Sequence, residues 1–107
     1  SMIPEFSGTA ESVSRDEGLY RPHPGDVFKR RCLSKSQLKQ PEIAALMGIS
    51  PKHLSRFING HVNVQIELAR KLESVTNISA AAWLNYQNAH DLYKTSSTKP
   101  AKQLIYG

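Results

Sequence analysis

Between positions 50 and 59 the chain places six side chains that can hydrogen-bond or carry positive charge: Ser50, Lys52, His53, Ser55, Arg56 and Asn59. These are the residue types that meet phosphate oxygens and base edges. A guanidinium can clamp a guanine edge through two hydrogen bonds, whereas an ammonium acts as a point charge on phosphate. Arg56 is therefore expected to carry sequence preference and Lys52 general affinity. Ser50 has two competing uses, because an oxygen that caps a helix is already occupied by a backbone amide.

The elements that must hold these groups can be read from KQPEIAALMGISPKHLSRFING, Lys39 to Gly60. The spacing predicts two short helices meeting across a tight turn, a helix-turn-helix. The small Ala44 sits where the helices cross, Gly48 can take the left-handed conformation that ends the first, and Ser50-Pro51 is an N-cap followed by a first-turn proline. The second helix then runs from Pro51 to near Asn59-Gly60. With Leu54, Phe57 and Ile58 inward, Lys52, His53, Ser55, Arg56 and Asn59 face out.

The remainder extends this to an all-α fold of five helices. His23-Pro24-Gly25-Asp26 suits a helix start, with Val27, Phe28 and Cys32 or Leu33 as an inward stripe to about Leu33. Ser34 to Leu38 is a polar connection, and Pro41 falls in the first turn of helix two, where its missing amide hydrogen costs little. After the loop HVNVQ, helix four carries Ile66, Ala69, Leu72 and Val75 on one side. It is expected to stop near Thr76-Asn77 with Asn77 as a left-handed cap, and Ser79 to cap helix five from Ala80 to about Tyr93. Residues 1–22 read as a flexible acidic arm, 23–93 as the helix-turn-helix domain and 94–107 as a C-terminal tail. The tail includes Gln103-Leu104-Ile105-Tyr106, a short strand without an obvious mate.

The formal net charge is +5 with a pI near 9.6. It is uneven: residues 1–22 hold four acids against two arginines, and residues 23–107 hold twelve basic residues against five acidic. A basic body behind an acidic arm fits a polyanionic partner. A single cysteine, Cys32, excludes an internal disulfide framework, and no apolar run approaches the ~20 residues a membrane span needs. A reducing cytoplasm is the expected location. Ser1-Met2 has the look of a vector residue ahead of a start methionine.

His23, His53, His61 and His90 show no close pair with zinc-site spacing, so no metal or cofactor is expected. Neither a carboxylate pair, a glycine-rich phosphate loop nor a nucleophile with a recognisable base is present, and the chain is not read as an enzyme. Trp83, with Leu84, Tyr86 and Gln87 on helix five, reads as core or dimer seam rather than a ligand-stacking ring.

From His23 to Tyr93 the sequence resembles the HigA antitoxins, within the class of Cro and phage-repressor-like DNA-binding domains. The resemblance rests on three blocks: HPGDVFKRRCL at the start, QPEIAALMGISPKHLSRFING in the middle, and VTNISAAAWLNYQNAHDLY with its Ala82-Trp83-Leu84-Asn85-x-Gln87 run. It implies a five-helix, lambda-repressor-like homodimer that represses its own operon and neutralises a co-encoded RelE-like, mRNA-cleaving toxin. It also implies DNA contacts at Gln40, Ser50, Lys52, His53, Ser55 and Arg56. A dimer seam on helix five would set two recognition helices ~34 Å apart, which requires a palindromic operator. A stand-alone regulator of the same fold, or a protein-interaction module that no longer binds DNA, would share these features.

Overall fold

The computed structural model describes residues 19–98 and 100–106, and among them it forms five α-helices, two short 3-10 turns and no strand. The helices are α1 (Pro24–Arg31), α2 (Gln40–Met47), α3 (Pro51–Ile58), α4 (Ile66–Val75) and α5 (Ala80–Lys94). One 3-10 turn, Leu33–Lys35, follows α1, and the other, Ser96–Thr98, follows α5.

Local chemistry sets most of the boundaries. At the start of α2, Glu42 Oε1 accepts the Lys39 backbone N–H at 2.8 Å. Ser50 Oγ accepts the His53 N–H at 3.0 Å at the start of α3, and Ser79 Oγ accepts the Ala82 N–H at 3.1 Å at the start of α5. Both helices of the central pair end alike. Gly48 (φ 74°) and Gly60 (φ 83°) adopt the left-handed conformation. The following amides turn back onto the helices, Ile49 N–H to Ala44 O at 3.0 Å and His61 N–H to Arg56 O at 2.8 Å. That pattern satisfies carbonyls a helix end would otherwise orphan.

The core forms where the helices converge. Ala44, Leu54, Phe57, Ala69, Leu72 and Trp83 have no exposed surface, with Phe28, Ile43, Met47, Ile58, Val64, Leu68 and Ala80 around them. Ala44 has the size that lets α2 and α3 cross closely, and α4 packs along α5 over the longest shared face. Phe28 brings α1 into the same centre, its ring 5.8 Å from Phe57 and 6.2 Å from Trp83.

Three expectations change. Ile66 is 67% exposed and Leu68 takes its place in the core. At about 100° per residue, Leu68, Ala69 and Leu72 cluster on one side while Ile66 falls away from Leu68 and Leu72. Asn77 does not form a left-handed cap, since no non-glycine residue among those described has positive φ. Instead Thr76 turns extended (φ −136°), and its Oγ1 accepts the Ile78 N–H at 3.2 Å while bonding to Leu72 O at 2.8 Å. Tyr106 and its neighbours Leu104 and Ile105 lie exposed without strand structure. The arm's flexibility over 1–18 falls outside the described residues; of its last residues, the exposed Tyr20 meets Tyr93 edge-on at 5.5 Å, and Arg21 O lies 2.8 Å from His90 Nδ1.

Candidate nucleic-acid interface

The polar face of α3 is produced by the burial of its other face. Leu54, Phe57 and Ile58 are sunk in the core, which leaves Lys52, His53, Arg56 and Asn59 exposed and Ser55 half-buried. Neither Lys52 nor Arg56 is ion-paired among the described residues, so both cations stand ready for an anionic partner. Asn59 is partly committed: its side-chain amide donates to Ser55 O at 2.9 Å and approaches Ser55 Oγ at 3.5 Å. Ser50 is likewise used as the cap of α3, and that oxygen also fixes the start of the helix from which Lys52 and His53 project.

Beside this face runs an open groove of about 630 Å³. One wall is Ile49, Ser50 and His53 at the start of α3, and the other is the α3–α4 loop with the first turns of α4, including Asn63, Gln65 and Lys71. Asn63, Gln65 and Lys71 are not evident as groove residues in the sequence, because nothing in HVNVQ signals that the loop folds back beside α3. Lys71 is tied to Glu67 at 3.4 Å. Gln40, exposed at the first position of α2, is not part of the groove wall.

Two of the four seam residues turn inward. Trp83 has no exposed surface, and its ring N–H donates to Thr76 Oγ1 at 3.4 Å while its ring meets Tyr86 edge-on at 5.5 Å. Gln87 is 4% exposed, with its amide spent on Val64, Asn63 and Asp91. A seam on α5 must therefore use surface that Trp83 and Gln87 do not supply. Leu84 and Tyr86 remain half-exposed, Tyr86 accepting a hydrogen bond from Arg31 at 2.9 Å.

Behind α3 lies His23. Its Nδ1 accepts the Gly25 N–H at 2.8 Å, which makes it the N-cap of α1, and its ring packs 6.1 Å from Phe57 and 5.2 Å from His90. Burial holds its pKa below the ordinary histidine value, and the neighbouring His90 adds to the effect, against smaller opposing influences of the Val62 backbone and then Asp91. No group of three His, Cys, Asp or Glu among the described residues could hold a metal ion. No described helix is long and apolar enough to cross a membrane.

Two helices crossing at Ala44 around a left-handed Gly48, with the second presenting a cationic outer face, define a helix-turn-helix domain. Residues 29–83, just over half of the chain, match the helix-turn-helix family HTH_3, and the chain belongs to that family. It is 31% identical over 74 residues to YbaQ of Escherichia coli K12, an uncharacterised HTH-type transcriptional regulator; the match takes in 69% of this chain and 66% of YbaQ, just under two thirds of that relative's length. An uncharacterised HTH-type regulator of Haemophilus influenzae is 25% identical over 81 residues, 76% of each chain. Two crystal structures share the fold at a TM-score of 0.68. One is a Pseudomonas aeruginosa protein in complex with its 28-bp operator DNA, at 18% identity over 73% of this chain and 86% of that one. The other is a Nostoc punctiforme protein proposed as the antidote protein of a plasmid maintenance system, at 24% identity over 75% and 87%.

Proposed function

We propose that this chain is a sequence-specific DNA-binding regulator that reads a palindromic operator as a homodimer, and that it is the antitoxin of a toxin–antitoxin pair, repressing its own operon and neutralising a RelE-like toxin. The observation that carries DNA reading is the outer face of α3, where Lys52, His53 and Arg56 stand exposed on a helix fixed at both ends by Ser50 and Gly60. Arg56 reads a base edge and Lys52 holds phosphate, with the groove beside α3 as the path of one sugar–phosphate strand. The operator complex of the Pseudomonas relative supports this use of the fold.

Support for the antitoxin role comes from the three sequence blocks that resemble HigA and from the proposed antidote role of the Nostoc neighbour. The naming of YbaQ as a transcriptional regulator favours a second reading, a regulator with no toxin partner. Co-expression with the product of the adjoining gene separates them. An antitoxin retains that protein through purification and relieves its toxicity, and a stand-alone regulator does neither.

A further inference from the structure

Gln87 is the only polar or charged side chain buried among the described residues. It sits on α5, away from the exposed face of α3, yet its hydrogen bonds reach the loop that forms the far wall of the groove. Its Oε1 accepts the backbone N–H of Val64 at 2.7 Å, and its Nε2 donates to Asn63 Oδ1 at 3.3 Å and to Asp91 Oδ1 at 3.0 Å. The two carboxamide ends thus hold two consecutive loop residues, while Asp91, one turn on along α5, orients the amide.

A buried polar group persists where it is satisfied, and a satisfied one fixes a single arrangement where apolar contacts would tolerate several. The loop needs such fixing. It leaves α3 through the left-handed Gly60 and enters α4 at Gln65, which has no side-chain cap bond. Val64, 3% exposed, pins it to the core by packing, and Gln87 sets its height and rotation by hydrogen bonding. Asn63 and Gln65, on either side of Val64, line the groove opposite Ser50 and His53.

We infer that Gln87 is a positioning residue for DNA binding: from inside the protomer it holds the 61–65 loop at the height where Asn63, Gln65 and the adjacent Lys71 meet the phosphate strand lying along the recognition helix. The bond to Val64 N–H is the lock. This inference rests on the proposed DNA reading, and it ties α5 to the DNA-facing surface without giving Gln87 any contact with DNA.

The test compares the wild type with Gln87→Met, which keeps length and helix preference but removes the lock. Both are titrated onto the duplex the wild type prefers, over a range of salt concentrations. Gln87→Met is expected to bind about tenfold more weakly, the scale of one hydrogen bond, and its salt slope should fall by about 0.9 for each phosphate the protein no longer neutralises. A merely structural glutamine would lower stability but leave the slope of the folded protein unmoved, so an unchanged slope in a folded Gln87→Met would overturn the inference. Wild-type protein with no preferred duplex would instead overturn the DNA reading on which it rests. Should Gln87→Met not fold, amide hydrogen exchange of the wild type decides. Val64 N–H is expected to exchange as slowly as core amides, and fast exchange there would overturn the lock.

Discussion

The backbone of Gly25, at the second position of α1, lies directly against the carbonyl of Phe57 near the end of α3; a β-carbon on Gly25 would collide with that oxygen. The next residue up the chain, Ile58, closes on the same spot, its Cα 3.1 Å from where that β-carbon would stand. The start of α1 and the end of α3 are therefore packed backbone to backbone, and His23 reinforces the joint by capping α1 while its ring rests beside Phe57.

Gly25→Ala accordingly forces a shift between two backbones, with no flexible side chain available to yield. The expected cost is about 1–3 kcal/mol or more of folding stability, the range of overpacked cores. Urea unfolding of the two proteins measures it, and equal midpoints would show that α1 and α3 are not packed as described.

Arg56→Ala and Lys52→Ala should fail in different ways. Loss of Arg56 is expected to reduce discrimination at one operator position by about 1–3 kcal/mol, whereas loss of Lys52 should weaken all duplexes alike and lower the salt slope by about 0.9. Binding to a set of single-base operator variants separates the two. Unchanged preference in Arg56→Ala would remove its assigned role.

His23 gives stability a pH dependence whose sign follows from its environment. Burial and the adjacent His90 lower its pKa in the folded state, with the Val62 backbone and then Asp91 opposing and Lys94 adding slightly. The unfolded chain then takes up the proton first, near the ordinary value of about 6.5. The contribution of neutral His23 is complete above that pH and declines as pH falls through the lower folded-state pKa. An imidazolium also has no lone pair on Nδ1 to accept from Gly25 N–H, so the cap disappears with protonation. His23→Asn retains a capping oxygen and removes the titration. Thermal melts from pH 7.5 to 5.5 should show a shallower decline for His23→Asn than for the wild type, and parallel declines would assign the pH dependence elsewhere.

Much of the fold is legible in the sequence because it is written in local chemistry. Glycine at 48 and 60, serine before proline at 50, and serine at 79 each have a steric or hydrogen-bonding reason that acts within a few residues. What is not legible depends on which distant surface an element meets. Periodicity identifies Trp83 as a buried residue but cannot distinguish the protomer's own core from a seam, and here Phe28, Tyr86 and Thr76 surround it. Gln87 shares the helical spacing of Trp83 and so reads with it as core or seam. Its actual partner, the Val64 amide, is twenty-three residues away, and no short-range pattern announces it. Ile66 misleads because it shares a three-residue spacing with Ala69 and Leu72, whereas the tighter cluster of Leu68, Ala69 and Leu72 is the one that packs against α2 and α5. The groove wall at Asn63, Gln65 and Lys71 emerges only once the loop has folded back beside α3.

The most direct measurement is a fluorescence-anisotropy titration of the chain onto a duplex from its own upstream region and a scrambled duplex of equal length, at two salt concentrations. Sequence reading through α3 predicts a preference of ~10³ or more for its own duplex, with two protomers bound per site. Equal, salt-sensitive binding to both would contradict it, reducing the exposed face of Lys52, His53 and Arg56 to a basic surface meeting phosphate.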